Sequence, residues 1–146
     1  MSNLCKMQRG FSLVSAIFLL VVIAALGTFA VTLSTTQQQG AALDVMGARA
    51  YQAARAGIEW GAFQVLQNTA GAYPTGCQAA PTAQAIAPLP NTLAGFNVNV
   101  DCTSTTTSED GAPVIIYQLT STATSQGVLP GSPDYVQRQI SVSIAN

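Results

Sequence analysis

Between Gly10 and Leu43 the chain carries no charged residue, and residues 11–33 are almost wholly apolar. No other feature constrains the fold as strongly. At ~1.5 Å per residue this run makes about 35 Å of helix, enough to cross a hydrocarbon core of roughly 30 Å. Its polar interruptions are mild. Ser12, Ser15, Thr28 and Thr32 can return their hydroxyls to their own helix, and Gly27 is tolerated in a membrane span. Lys6 and Arg9 precede the run and mark that flank as the cytoplasmic side, with the remainder facing outward.

A cleaved secretory signal is a poor match, because its apolar core is shorter and ends in a small-x-small site. Ala25-Leu-Gly27 lies inside the apolar run instead. A plain signal anchor fits both length and charge. The join Arg9-Gly10-Phe11-Ser12-Leu13 adds a further feature: a basic leader ends in glycine and the apolar helix opens with phenylalanine.

This join resembles that of the type IV prepilins. The resemblance implies that a prepilin peptidase cuts after Gly10 and methylates the new amino terminus at Phe11, with Lys6 and Arg9 as the leader charge. The helix then survives in the mature subunit. Most pilins carry glutamate at the fifth mature position, which here is Ser15. A bilayer carboxylate needs a cationic partner, expected to be the amino terminus of a neighbouring subunit, and a serine cannot form that ion pair. Within the family, loss of this glutamate implies a minor subunit.

The chain has 146 residues, 49% of them hydrophobic and 8% charged, consistent with one anchored domain. Cleavage of residues 1–10 would leave Arg49, Arg55 and Arg138 against six acidic residues, a side-chain sum near −3. No basic stripe remains for phosphates, so nucleic acid is not an expected partner.

Residues 34–67 contain no proline, so a helix can continue through Ser34-Thr-Thr-Gln-Gln-Gln-Gly40. From Ala41 an apolar face recurs at spacings of three and four, through Val45/Met46, Ala50, Ala53/Ala54, Gly57/Ile58, Gly61/Ala62 and Val65/Leu66. Ala50, Ala54, Gly57, Ile58 and Gly61 predict helix–sheet packing, because small side chains admit another backbone. Arg55 and Glu59 form an i,i+4 pair on a solvated or subunit-facing side. A continuous helix to Gln67 would be roughly 85 Å long. Ala53-Ala-Arg-Ala-Gly-Ile-Glu59 resembles the alanine-rich stretch of minor pilins of the PilX and MshP type.

Asn68-Thr-Ala-Gly71 closes the helix, and the proline-rich segment from Gly71 to Pro90 reads as a loop. Cys77 and Cys102 remain as an even pair in an oxidising compartment, and their disulfide would tether that loop. Closing about 26 residues contributes ~3–4 kcal/mol in the loop-entropy account. Strand alternation appears at Phe96/Val98/Val100, at Ile115/Tyr117/Leu119 and at Val136/Ile140/Val142/Ile144. The short links favour an antiparallel meander. Thr103-Ser-Thr-Thr-Thr-Ser108 reads as a solvated connection. Glu109-Asp110 reads as a hydrophilic turn, with weak calcium binding as an alternative. Trp60 and Tyr51 read as packing or subunit contacts.

The fold expected is α+β: a long N-terminal helix packed on a small antiparallel sheet of about three strands. Its divisions are a leader (1–10), a transmembrane helix (11–33), an amphipathic continuation (34–67) and a disulfide-tethered head (68–146). The chain has no histidine, no phosphate-binding glycine loop and no carboxylate pair spaced for acid–base work. It is therefore expected to be neither an enzyme nor a cofactor binder. The prepilin resemblance implies an inner-membrane protein with a periplasmic head that later joins a surface pilus. Its expected partners are other major and minor pilins, the prepilin peptidase, the inner-membrane assembly platform and membrane lipid. The competing expectation is a signal-anchored periplasmic binding or adhesive module outside any filament.

Overall fold

A computed structural model describes residues 11–86 and 89–146. The leader, with Lys6, Arg9 and Gly10, lies outside the described residues. The elements, in order, are helix α1 (Phe11–Gln67), helix α2 (Ala72–Ala79) and strands β1 (Thr82–Ile86), β2 (Phe96–Glu109), β3 (Ala112–Ser125) and β4 (Gln137–Ala145). The fold is α+β. The described residues divide into two compact units, one up to Ala42 and one from Leu43 on, and α1 contributes to both.

In the first unit α1 displays its apolar side chains outward. Leu13, Val14, Ile17, Phe18, Leu20, Val21, Ile23, Phe29 and Val31 are all exposed. Thr28 and Thr32 donate to the carbonyls of Ala25 and Phe29 at 2.9 and 2.8 Å, so these hydroxyls are satisfied within their own helix. Thr35 and Thr36 do the same to Thr32 and Leu33, both at 2.9 Å. Such back-bonding lets a polar run without proline stay helical. One helix here is long and apolar enough to cross a membrane.

In the second unit the C-terminal part of α1 covers one face of an antiparallel sheet of order β1-β2-β3-β4. The core is small-on-large. Ala50, Ala53, Ala54 and Val65 of α1 are fully buried, as are Val100, Leu119 and Ala123 of the sheet. Strand β2 alternates as its sequence dictates, with Phe96, Val98, Val100 and Cys102 inward. The inward row of β3 is Tyr117, Leu119, Ser121, Ala123 and Ser125.

Three expectations are corrected. The sheet has four strands, not about three, because Thr82–Ile86 pairs with β2 from Thr82↔Cys102 to Ile86↔Val98. Its residues are mostly exposed and small, so it carries no hydrophobic alternation. Second, the segment read as a loop also holds α2. Pro74 is tolerated there because it occupies the first turn, where a backbone N–H has no helical partner to lose. Third, Thr103–Ser108 is strand, running with β3 to a two-residue turn at Asp110-Gly111. Both turn residues have positive φ, 51° and 83°, which suits a hairpin turn matched to strand twist.

Candidate functional site

The described part of α1 begins at Phe11, and Ser15 lies on the exposed apolar stretch that follows. The other residues singled out by sequence fall in the second unit, in two groups.

The first group is the face of α1 against the sheet. A Cβ built on Gly57 would lie 2.8 Å from Val98 Cγ1 and 3.1 Å from Val100 Cγ2, and closer still to Ser121 Oγ. One on Gly61 would lie 3.1 Å from Leu119 Cδ1. The glycines thus set how near the helix axis comes to β2 and β3. Ala50 and Ala54 are fully buried on the same face, and Ile58 is half-buried at its margin. On the opposite side Arg55 and Glu59 form an ion pair at 2.9 Å, both well exposed, an arrangement that contributes little to stability.

The second group ties α2 to the sheet. Cys77 and Cys102 form a disulfide with Cα atoms 5.6 Å apart. Around it lie polar contacts that sequence reasoning missed. Tyr73 Oη donates to the Val100 carbonyl at 3.2 Å, and Ser104 Oγ donates to the Cys77 carbonyl at 3.1 Å. Gln78 Nε2 donates to Tyr117 Oη. Trp60 of α1 meets Tyr73 edge-on, with ring centroids 4.9 Å apart. Burial, and secondarily the Asp101 carboxylate, pushes the Tyr73 hydroxyl up from 10.0 to about 12. Desolvation of the phenolate is the cause. The signal available in sequence was Tyr73 itself, an aromatic four residues before a cysteine in a stretch otherwise small and polar.

Among the described residues no three His, Cys, Asp or Glu side chains stand close enough to hold a metal. Glu109 and Asp110 sit exposed at the β2–β3 turn. Among the described residues, two open clefts of the second unit each hold about 370–380 Å³. One is floored by Leu43, Asp44 and Arg138, the other by Ser125, Leu129 and Tyr135. No family model, curated protein or solved structure matches this chain.

Proposed function

We propose that this chain is a minor pilin-like structural subunit. In this reading a prepilin peptidase cleaves after Gly10 and methylates Phe11, and the subunit then initiates, caps or sparsely joins a type IV pilus of the mannose-sensitive haemagglutinin type. The observation that carries the reading is the position of α1. It is described from Phe11, the residue that follows Arg9-Gly10 in the sequence; its apolar side chains from Leu13 onward are turned outward, and the same helix ends as the spine of a disulfide-tied sheet domain.

The physical logic is one of storage and transfer. An outward apolar helix is stable in a bilayer, where its backbone is satisfied internally. Its apolar surface can also be covered by other helices of the same kind. Moving the helix from the inner membrane into a bundle of major and minor pilin helices therefore exchanges one apolar environment for another. The assembly platform would drive that exchange. Ser15 leaves the subunit without the usual carboxylate, so it is suited to a position with no neighbour's amino terminus to neutralise. The subunit works mechanically and is not an enzyme; the periplasmic head contributes rigidity through the Gly57/Gly61 contact and the Cys77–Cys102 tether.

The test is cross-linking in the source cells from Ser15 or Arg49 to other pilin helices, paired with piliation of a deletion strain. Cross-links into a pilin bundle and lost or altered piliation are expected. Unchanged piliation without such cross-links would favour a signal-anchored module outside any filament.

A further inference from the structure

We infer that β4 is a self-association site: its free edge pairs, antiparallel, with β4 of a second copy of this chain about a two-fold axis at Val142. The inference starts from the backbone. Ile115 and Asn146 exchange both of their N–H···O=C bonds at 2.9 Å, and Ser125 N–H donates to the Val136 carbonyl at 2.9 Å. Hydrogen-bonded and non-hydrogen-bonded pairs alternate along an antiparallel ladder. With the β3–β4 register of Tyr117↔Ile144, Leu119↔Val142 and Ser121↔Ile140, the even-numbered residues of β4 bond to β3. Gln139, Ser141, Ser143 and Ala145 therefore turn their N–H and C=O groups to the side where, among the described residues, no strand follows.

Nothing in the strand blunts that edge. The register runs without a bulge from Gln137 to Ala145, the strand holds no proline, and its single charge is Arg138 at the start. Arg138 Nη1 donates to the Gln137 carbonyl at 3.1 Å and the guanidinium lies beside Gly47 of α1, so the stretch from Gln139 on is unscreened. The outer-face side chains bond back toward β3. Gln139 Nε2 donates to Thr122 Oγ1 at 3.3 Å, and Ser141 and Thr120 share a hydroxyl bond at 2.9 Å. On the other face Ile140, Val142 and Ile144 stay only partly buried, because Gly57 and Gly61 seat α1 on β2 and β3.

The strand itself specifies the occupant. The edge calls for apolar residues opposite Ile140, Val142 and Ile144 and for small polar ones on the alternate positions, and β4 has that alternation. A one-residue slip would turn the apolar row to the polar face, so only in-phase registers count. Centred on Val142, the pair sets Ile140 opposite the partner's Ile144, Val142 opposite the partner's Val142 and Ser141 opposite the partner's Ser143. The apolar pairs are then the close, non-hydrogen-bonded ones, and Gln139, Ser141, Ser143 and Ala145 all gain main-chain partners. Centred on Ser141, the pair would set Arg138 opposite the partner's Ile144; centred on Ser143, it would set Ile140 opposite the partner's Asn146. At Val142 the two Arg138 charges stand at opposite ends, each facing the partner's Asn146.

The pair is also closed. A two-fold contact uses up both β4 edges, so association through them stops at two copies. Each α1 stays on its own β2 and β3, and the paired β4 strands lie between the two helices. Pairing β4 with β1 of another copy would instead be open-ended, and it would offer Thr82, Gln84 and Ile86 to the apolar row. Two of those three are polar.

The experiment is sedimentation velocity on the full chain in detergent micelles over a range of protein concentrations. A reversible dimer is expected. Ser141→Lys with Ser143→Lys sets lysine opposite lysine in the Val142-centred register and should raise the dimer dissociation constant about tenfold. Ser141→Lys with Ser143→Glu sets lysine opposite glutamate and should keep the dimer. Both pairs of changes fall on exposed outer-face positions, so the near-ultraviolet signal of Trp60 should be the same in all three proteins. In the unaltered chain, hydrogen exchange at Gln139, Ser141 and Ser143 should slow as concentration rises, while Val142, already bonded to β3, should not change. A monomer at every concentration, assemblies larger than two, a dimer that survives the double lysine change, or loss of the dimer in both variants overturns the proposal, as does unchanged exchange at those three amides. None of these readouts depends on cleavage at Gly10, so this proposal and the pilin reading fail separately.

Discussion

Gly57 of α1 packs directly on Ser121 of β3, so closely that even a methyl group on the glycine would collide with the serine oxygen. Val98 Cγ1, at 2.8 Å from that methyl position, closes the other side. Replacing Gly57 by alanine sets two effects against each other. The helix gains about 1 kcal/mol of propensity, while overpacking costs typically 1–3 kcal/mol. Two contacts below 3.0 Å put the overpacking term ahead, so Gly57→Ala should destabilise the domain by about 1–2 kcal/mol net. Gly61→Ala meets the flexible end of Leu119 at 3.1 Å and should be close to neutral. Thermal unfolding followed by near-ultraviolet circular dichroism of the Trp60–Tyr73 pair checks both.

Ser121 carries its own prediction. Its Oγ is buried and has no hydrogen-bond partner among the described residues. An unsatisfied buried hydroxyl costs about 1–3 kcal/mol, so Ser121→Ala should be neutral to stabilising, a sign opposite to most core truncations. Combined with Gly57→Ala it should recover part of the lost stability, since the two residues share one contact. An additive double mutant would mean that Val98 alone sets the limit.

Removing the Cys77–Cys102 bridge, 25 residues apart, should cost ~3–4 kcal/mol through loop-closure entropy. The paired change Cys77→Ser with Cys102→Ser isolates that term better than reduction. The loss should appear first as fast hydrogen exchange in α2 and β1, which depend on the bridge, before β3 and β4 respond.

Tyr73 makes stability fall in alkali. Its folded pKa is raised to about 12 against 10.0 for the ordinary hydroxyl. Between those values the unfolded chain has released the proton and the folded chain still holds it, so stability declines as pH rises through this window. Below it the contribution is fully present. Tyr73→Phe loses the bond to Val100, about 1 kcal/mol near neutrality, and the gap to the native chain should shrink between pH 10 and 12. Unfolding midpoints of the two proteins across that range measure it.

What could be read from sequence was whatever had a period. The 3.6-residue recurrence of small and apolar residues from Val45 to Leu66 located the face that meets the sheet. The two-residue alternation at Phe96–Val100 and at Val136–Ile144 located strands whose inner rows are now visible. Strand β1 was illegible because Thr82-Ala-Gln-Ala-Ile86 is an edge strand held by main-chain bonds, and main-chain bonds leave no composition behind. Helix α2 was hidden by Pro74, which forbids a helix interior but not a first turn. The inward row of β3 past Leu119 was missed for a different reason. Ser121 is small because Gly57 brings the helix too near for anything larger, and Ser125 is polar because its Oγ accepts from the Val136 N–H. The open edge of β4 could not be read at all, since which backbone groups face outward follows from register alone.

The measurement that bears most directly on the central claim is the intact mass and N-terminal peptide of the protein purified from its native membrane. The account predicts a chain beginning at N-methylated Phe11, with residues 1–10 gone. A chain still carrying the Met1 end, or one cut near Thr28 within the apolar run, would contradict it.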